Sequence, residues 1–356
     1  MGREPVEAAL RGIVPRETPG VALVVARRGG PHRAEAAGVS DLDSHAPLRP
    51  DTVQPWYSMT KIVTATAAMQ LAEDGAPSLD DPVGRFLPGF PRLRGGGPPV
   101  LVRHLLSHSS GLSNPIPVRW VHGADAPRPD RREAALRLLE GHSRLRSRPG
   151  ESAAYSNLGY IALGEVIASA GGGSYEDHVR ERILEPLGMA STGFSYEGLG
   201  GDVATGYQRR LSPMTPLFRL LLPKGIIRGT SGRFLAFNRF YVDGAAYGGL
   251  IGSAADAARF MAAHLGGGEL DGARILSREG VGAMQSIQAR GRRLEVGLGW
   301  TRRGGEAHLE HLGGGGGFWT MMRIHPGIGL GILTMGNATR YDHERLAAAA
   351  LAETRP

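Results

Sequence analysis

The sequence predicts an α+β fold, an α/β sandwich in which an antiparallel sheet drawn from both chain ends is flanked by helices and interrupted by a large, mainly helical insertion. Three observations predict it. Strand-like apolar runs lie near the N-terminus and again in the C-terminal third. Helical spacing fills the stretch between them. No internal repeat and no linker divides the chain, so residues 1–356 are expected to form a single domain of two lobes: 1–57 plus 250–356 around the sheet, and 58–249 mainly helical.

Residues 4–13 can form a short opening helix. Val21 to Ala26, VALVVA, has the length and β-branching of a buried strand, and Arg33 to Val39 is its expected hairpin partner across a Gly-Gly-Pro turn. Met59 to Glu73 is a helix ending near Gly75, apolar almost all round and therefore a core helix. Further helical patches fall at 101–107, 131–140, 158–170 and 175–185. Residues 211–240 are apolar, basic and broken by prolines. They are expected to be a structured insertion with its apolar side buried, and a substrate-covering flap or a lipid contact through 211–227 are the alternatives. A helix over 254–265 is opened by Ser253 as N-cap, with Asp256 in its first turn. Strand signals return at Leu294–Thr301, Ala307–Leu312, Phe318–His325 and Gly329–Met335, separated by short turns, and a helix from about Asp342 to Glu353 closes the chain.

Composition excludes several classes. Hydrophobic residues make up 41% and charged residues 21%, ordinary for a globular chain, so disorder is not expected. The formal charge of +7 comes from scattered arginines, without a basic run or interleaved aromatics, so no nucleic-acid partner is expected. There is no cysteine, which removes disulfides and thiolate metal sites. No segment offers the roughly 18 uninterrupted apolar residues of a membrane span. The N-terminus lacks a signal-like apolar stretch, so a cytoplasmic location is expected. The sequence sets no oligomeric state.

Of 41 basic residues only two are lysine, Lys61 and Lys224. Lys61 lies three residues after Ser58 within an apolar helical stretch. A desolvated lysine can lose its proton, whereas an arginine cannot. Lys61 is therefore expected to serve Ser58 as base or proton carrier. Positions i and i+3 share a helix face, and a helix N-terminus favours developing negative charge.

Tyr155-Ser156-Asn157 follows Pro149-Gly150 and precedes an apolar helix. Such a turn can present a phenol and an amide, and a phenolate kept ionised by a nearby lysine would be a competent base. The alternative is a capping turn with Ser156 or Asn157 as N-cap. His311-Leu312-Gly313 opens a run of five glycines. Glycine weakens a strand, so the run implies close approach of another backbone or a ligand, and the Gly314 N–H could complete an oxyanion hole. A flexible hairpin loop is the plainer alternative.

Other candidates fail on pattern. His104 and His108 have metal-ligand spacing, but no glutamate supports them and their surroundings are apolar and hydroxylic, so structural histidines are expected and no metal. There is no Gly-x-Ser-x-Gly, which argues against a nucleophile elbow. Asn337-Ala338-Thr339 fits a glycosylation pattern without secretory evidence.

Taken in order, SMTK, YSN and HLG resemble the serine β-lactamase and penicillin-binding-protein superfamily, most closely its class C β-lactamase-like branch with the family VIII carboxylesterases and D-amino-acid peptidases. PGVALVVARRG, LVRHLLSHSSGL, RPGESAAYSNLGYIALGEVI and YGGLIGSAADAARF are similar to the branch's supporting sequence, and the resemblance covers roughly residues 18 to 340. It implies a β-lactamase/transpeptidase-like fold and no cofactor. Ser58 would be the acyl-accepting nucleophile, Lys61 its activator and Tyr155 the proton shuttle. Asn157, His311 and Gly313 would bind substrate, and the N–H groups of Ser58 and Gly314 would form the oxyanion hole.

The chain departs from that pattern at two places. His311 stands where many relatives carry lysine, and Leu312 where a hydroxyl residue is usual. Both changes favour a neutral, apolar acyl group over a substrate carboxylate. The expected activity is that of a serine carboxylesterase on small or lipophilic esters. The alternatives are β-lactam or D-alanyl-D-alanine/D-amino-acid peptide hydrolysis, transfer of the acyl group to a bound alcohol, and a non-catalytic binding protein that keeps the fold.

Overall fold

In the computed structural model, which describes residues 5–90, 97–127, 130–142 and 144–354, the two chain ends meet in one eight-stranded antiparallel sheet. Its strands are β1 (Gly20–Arg27), β2 (Gly30–Gly38), β3 (Ala289–Arg290), β4 (Glu295–Val296), β5 (Thr301–Arg302), β6 (Leu309–Gly315), β7 (Phe318–His325) and β8 (Leu330–Gly336). Their spatial order is β3-β4-β5-β6-β7-β8-β1-β2. The N-terminal hairpin therefore docks on the last strand, with Val24 opposite Leu333. Asn337 locks this junction. Its fully buried amide accepts from Gly20 N (2.7 Å) and donates to Val39 O and Ser40 O, which explains an asparagine that matched a glycosylation pattern.

Period-two alternation sends side chains to both faces of the central strands. Ala22, Val24, Met322 and Leu333 pack on helices α2 (Thr60–Glu73) and α4 (Ala254–Leu265). Val21, Leu23, Met321 and Ile332 pack against α1 (Val6–Ile13) and α5 (His343–Thr354). Both faces are thus covered by helices, which is why β1 and β8 read as continuous apolar runs. Helix α2 is buried from Thr60 to Leu71 and forms the centre of the inner layer. Behind it lies α3 (Asn157–Gly171).

One expectation is corrected. Leu294–Thr301 is not one strand: Gly297 N bonds Trp300 O (2.9 Å), folding the segment into a turn between β4 and β5. The glycine run is only partly the hairpin loop given as the alternative: Gly313, Gly314 and Gly315 pair with Thr320, Trp319 and Phe318, and Gly316 and Gly317 make the turn. The 211–240 insertion holds the helix Met214–Leu221 and contributes to a small sheet of Tyr207–Arg209, Phe234–Phe237 and Ile227–Ser231.

Candidate active site

The turn carrying Ser58 is held from three sides. Trp56 is fully buried and its backbone N–H donates to Leu250 O (2.9 Å). Tyr57 is at φ +48°, a left-handed conformation that costs a bulky residue about 1–3 kcal/mol and persists only where its surroundings enforce it. They do: its hydroxyl donates to Gly316 O (2.7 Å) and its ring packs near Phe318. Ser58, half-buried, then sits in a single 3-10 turn, Tyr57–Met59, that runs directly into α2.

The glycines of β6 make this packing possible. A Cβ at Gly313 would lie 2.2 Å from Trp56 O and 3.3 Å from Ser58 N, and one at Gly315 would lie 2.5 Å from the Tyr57 ring. The backbone of the nucleophile turn rests on the strand, so the close approach read from the sequence is that of another backbone.

Lys61 is fully buried on the first turn of α2. Its Nζ lies 3.0 Å from Ser58 Oγ and donates to Tyr247 O (2.6 Å). The rings of Tyr155, Tyr247 and Tyr160 surround it, with centroids 4.9, 5.3 and 5.6 Å away. Burial alone holds its pKa well below the ordinary lysine value, favouring the neutral amine.

Tyr155 is half-buried beside Ser58. Burial raises its pKa above the ordinary phenol value, and a hydrogen bond with the Ser58 side chain opposes that shift only in part. The next residue, Ser156, is the N-cap of α3: its hydroxyl accepts from Gly159 N (3.1 Å) and donates to Ser113 O (3.0 Å). The capping reading of the YSN triplet holds and the same turn sets the phenol beside Ser58, but burial favours a neutral phenol there, not the lysine-held phenolate read from the sequence. Asn157 is buried at the start of α3, with its N–H donating to Asn114 Oδ1 (3.0 Å). Its own Oδ1 is buried without a hydrogen-bond partner among the described residues.

His311 is brought to the same place. It is 2% exposed, its ring is 6.0 Å from that of Tyr155, and its Nδ1 is 3.0 Å from Leu312 O. Burial, reinforced by Lys61, pushes its pKa down to about 3, so the imidazole is neutral. Leu312 is corrected: alternation along β6 turns it to the outer face, where it packs with the α1/α5 cluster. Of the two departures, only His311 therefore faces the site.

His108, expected from the sequence to be structural, takes its structural role within the site, a placement the sequence reading did not anticipate. The helix Val102–Leu106 ends before it, so the i, i+4 pair with His104 does not converge. His104 Nδ1 instead accepts from Leu101 N (3.2 Å), and the described residues hold no cluster of three metal-binding side chains. His108, at φ +54°, turns into the site. Its ring centroid is 4.5 Å from that of Tyr155. Its carbonyl accepts from Ala154 N (2.8 Å) and its Nδ1 from Ser156 N (3.2 Å), so one buried residue grips the chain on both sides of Tyr155. The only sequence signal was a histidine in a serine-rich, helix-ending stretch before a glycine.

Comparisons with known proteins identify the family and the fold. The chain matches the Beta-lactamase family over residues 6–354. It is 27% identical to the D-alanyl-D-alanine-carboxypeptidase/endopeptidase AmpH of Escherichia coli, over 82% of this chain and 73% of that protein. It is 34% identical to esterase EstB of Burkholderia gladioli, over 50% of this chain and 48% of the esterase. The octameric penicillin-binding protein homologue of Pyrococcus abyssi superposes with a TM-score of 0.77 at 28% identity, covering 98% of this chain and 75% of that one. The chain spans 63% of the length of Protein Rv1367c of Mycobacterium tuberculosis, to which it is 31% identical. Family match and superposition agree: the chain belongs to the Beta-lactamase family, within the serine-hydrolase superfamily of β-lactamases and penicillin-binding proteins.

Proposed function

We propose that the protein is a serine carboxylesterase acting through an acyl-enzyme on Ser58, with a preference for neutral, apolar acyl groups. The observation that carries this is the buried Lys61 amine 3.0 Å from Ser58 Oγ. Burial favours a neutral amine and a neutral phenol at once, so Lys61 is the acceptor for the Ser58 proton and Tyr155 is a proton donor.

In this mechanism Ser58 Oγ attacks the ester carbonyl while its proton passes to Lys61 Nζ. The N–H groups of Ser58 and Gly314 stabilise the oxyanion, with the start of α2 adding its dipole. The carbonyl re-forms, the C–O bond to the alcohol breaks, and the alkoxide takes the Tyr155 proton. The ammonium and phenolate left behind stabilise one another. Water then attacks the acyl ester as the phenolate takes its proton, the C–Oγ bond breaks, and Lys61 returns the proton to Ser58. Asn157, His311 and Gly313 line the substrate's path. The neutral His311 supplies no cation for a carboxylate, which favours esters over penicillins and peptides ending in D-alanine.

The test is a panel of p-nitrophenyl esters run beside nitrocefin and a D-alanyl-D-alanine peptide, with fluorophosphonate labelling of Ser58. Ester turnover well above the other two is expected. Faster peptide hydrolysis would transfer the assignment to the carboxypeptidase activity carried in the name of AmpH, and absence of labelling at Ser58 in folded protein would leave a binding protein.

A further inference from the structure

Between Val203 and Val242 the chain carries Arg209, Arg210, Arg219, Lys224, Arg228, Arg233 and Arg239 and not one aspartate or glutamate. Arg228 is paired with Asp41 and Asp43, and Arg239 lies over the Tyr196 ring. The other five are exposed and have no ion-pair partner among the described residues.

These cations frame an apolar ridge. The helix Met214–Leu221 turns Thr215 and Phe218 inward. At 100° per residue, Pro216 and Leu220 lie on the opposite side, while Met214, the first residue of the helix, lies on the flank about 120° round from Leu220. Leu220 is 77% exposed, Met214 41%, and Leu211 just before the helix 94%, three of the five large exposed apolar side chains among the described residues. Thr215 Oγ1 donates to Arg209 O (2.9 Å), and Arg210 N to Arg233 O (2.9 Å), which gathers Arg209, Arg210 and Arg233 at the ridge's N-terminal end. Arg219 stands on the helix and Lys224 follows it.

We propose that this surface seats the protein on an anionic phospholipid bilayer, with Leu211, Met214 and Leu220 entering the headgroup layer and the five cations meeting lipid phosphates. The charge decides among occupants. A second copy docked face to face would set these cations against their own kind. A nucleic-acid backbone would have no use for exposed leucines between the arginines. A bilayer with acidic headgroups satisfies both features. The ridge's inner face joins the cluster of Phe218, Phe237, Phe318 and Tyr57, the residue before the nucleophile. If the esterase reading holds, a lipophilic ester would thus be drawn from the membrane close to Ser58, but the seat itself does not depend on that chemistry.

Vesicle co-sedimentation tests the seat without reference to activity. The protein is spun with vesicles of phosphatidylcholine alone and of phosphatidylcholine mixed with phosphatidylglycerol, at low and high salt. Binding to the mixed vesicles at low salt, lost at high salt, is expected. Leu211→Ser/Met214→Ser/Leu220→Ser and Arg209→Glu/Arg210→Glu should each weaken it at least about tenfold. All five positions are exposed, so circular dichroism and melting temperature should be unchanged. No sedimentation with the mixed vesicles, equal binding to neutral ones, or binding that neither variant weakens would overturn the proposal. A dimer in gel filtration that the triple serine variant dissolves, without vesicle binding, would instead make this face a contact between copies.

Discussion

Replacing His108 by phenylalanine tests whether Tyr155 is held in place by its neighbours. The substitution keeps an aromatic ring against Tyr155 but removes the Nδ1 that accepts from Ser156 N at 3.2 Å. An N–H left without an acceptor in a buried setting costs about 1–3 kcal/mol. If that cost falls on the geometry of Tyr155 in the transition state, kcat drops roughly 5- to 150-fold at about 1.4 kcal/mol per tenfold. Asparagine supplies the complementary variant. Its amide oxygen can replace Nδ1 as acceptor, and it tolerates the φ of +54° better than histidine does. His108→Asn should therefore keep kcat within a few-fold of the parent while giving up the ring. Steady-state and single-turnover rates with p-nitrophenyl acetate, beside thermal unfolding of each variant, separate positioning from stability. Parent-like turnover by His108→Phe, or an equal loss in His108→Asn and His108→Phe, would refute the clamp.

Lys61→Arg should be as inactive as Lys61→Ala while remaining folded, a loss of about 10²–10⁴ in kcat/KM, because a guanidinium keeps the charge but cannot take the Ser58 proton. Lys61 also ties stability to pH. Its folded pKa lies below the ordinary value of 10.5, so between the two the unfolded chain binds the extra proton, and stability rises with pH across that window. Lys61→Met should accordingly melt at a higher temperature than the parent at neutral pH, with the gap closing as pH approaches 10.5 in calorimetric scans. Gly313→Ala would put a methyl 2.2 Å from Trp56 O; denaturant titration should show a loss of about 1–3 kcal/mol and the fluorophosphonate reaction at Ser58 should slow. His311→Lys should raise the rate on acyl groups bearing a carboxylate relative to neutral ones, read as a ratio of kcat/KM values for matched esters.

Much of the site was legible in the chain itself. A lysine in an arginine-rich sequence, three residues after a serine and inside an apolar helix, already implied burial and a lowered pKa, because helical spacing and desolvation are local consequences of neighbouring residues. VALVVA announced a buried strand by its unbroken hydrophobicity, and the short turns between the strands near residues 318–335 announced an antiparallel sheet. Tertiary structure decided what depends on contacts distant in sequence. It turned Leu312 away from the cleft by strand alternation, set His108 against Tyr155 across a gap of 47 positions, and pressed Trp56 and Tyr57 onto glycines more than 250 residues away. Composition cannot encode such meetings. Which atoms face one another across the core follows from register and packing, and these exist only once both ends of the chain have closed into one sheet.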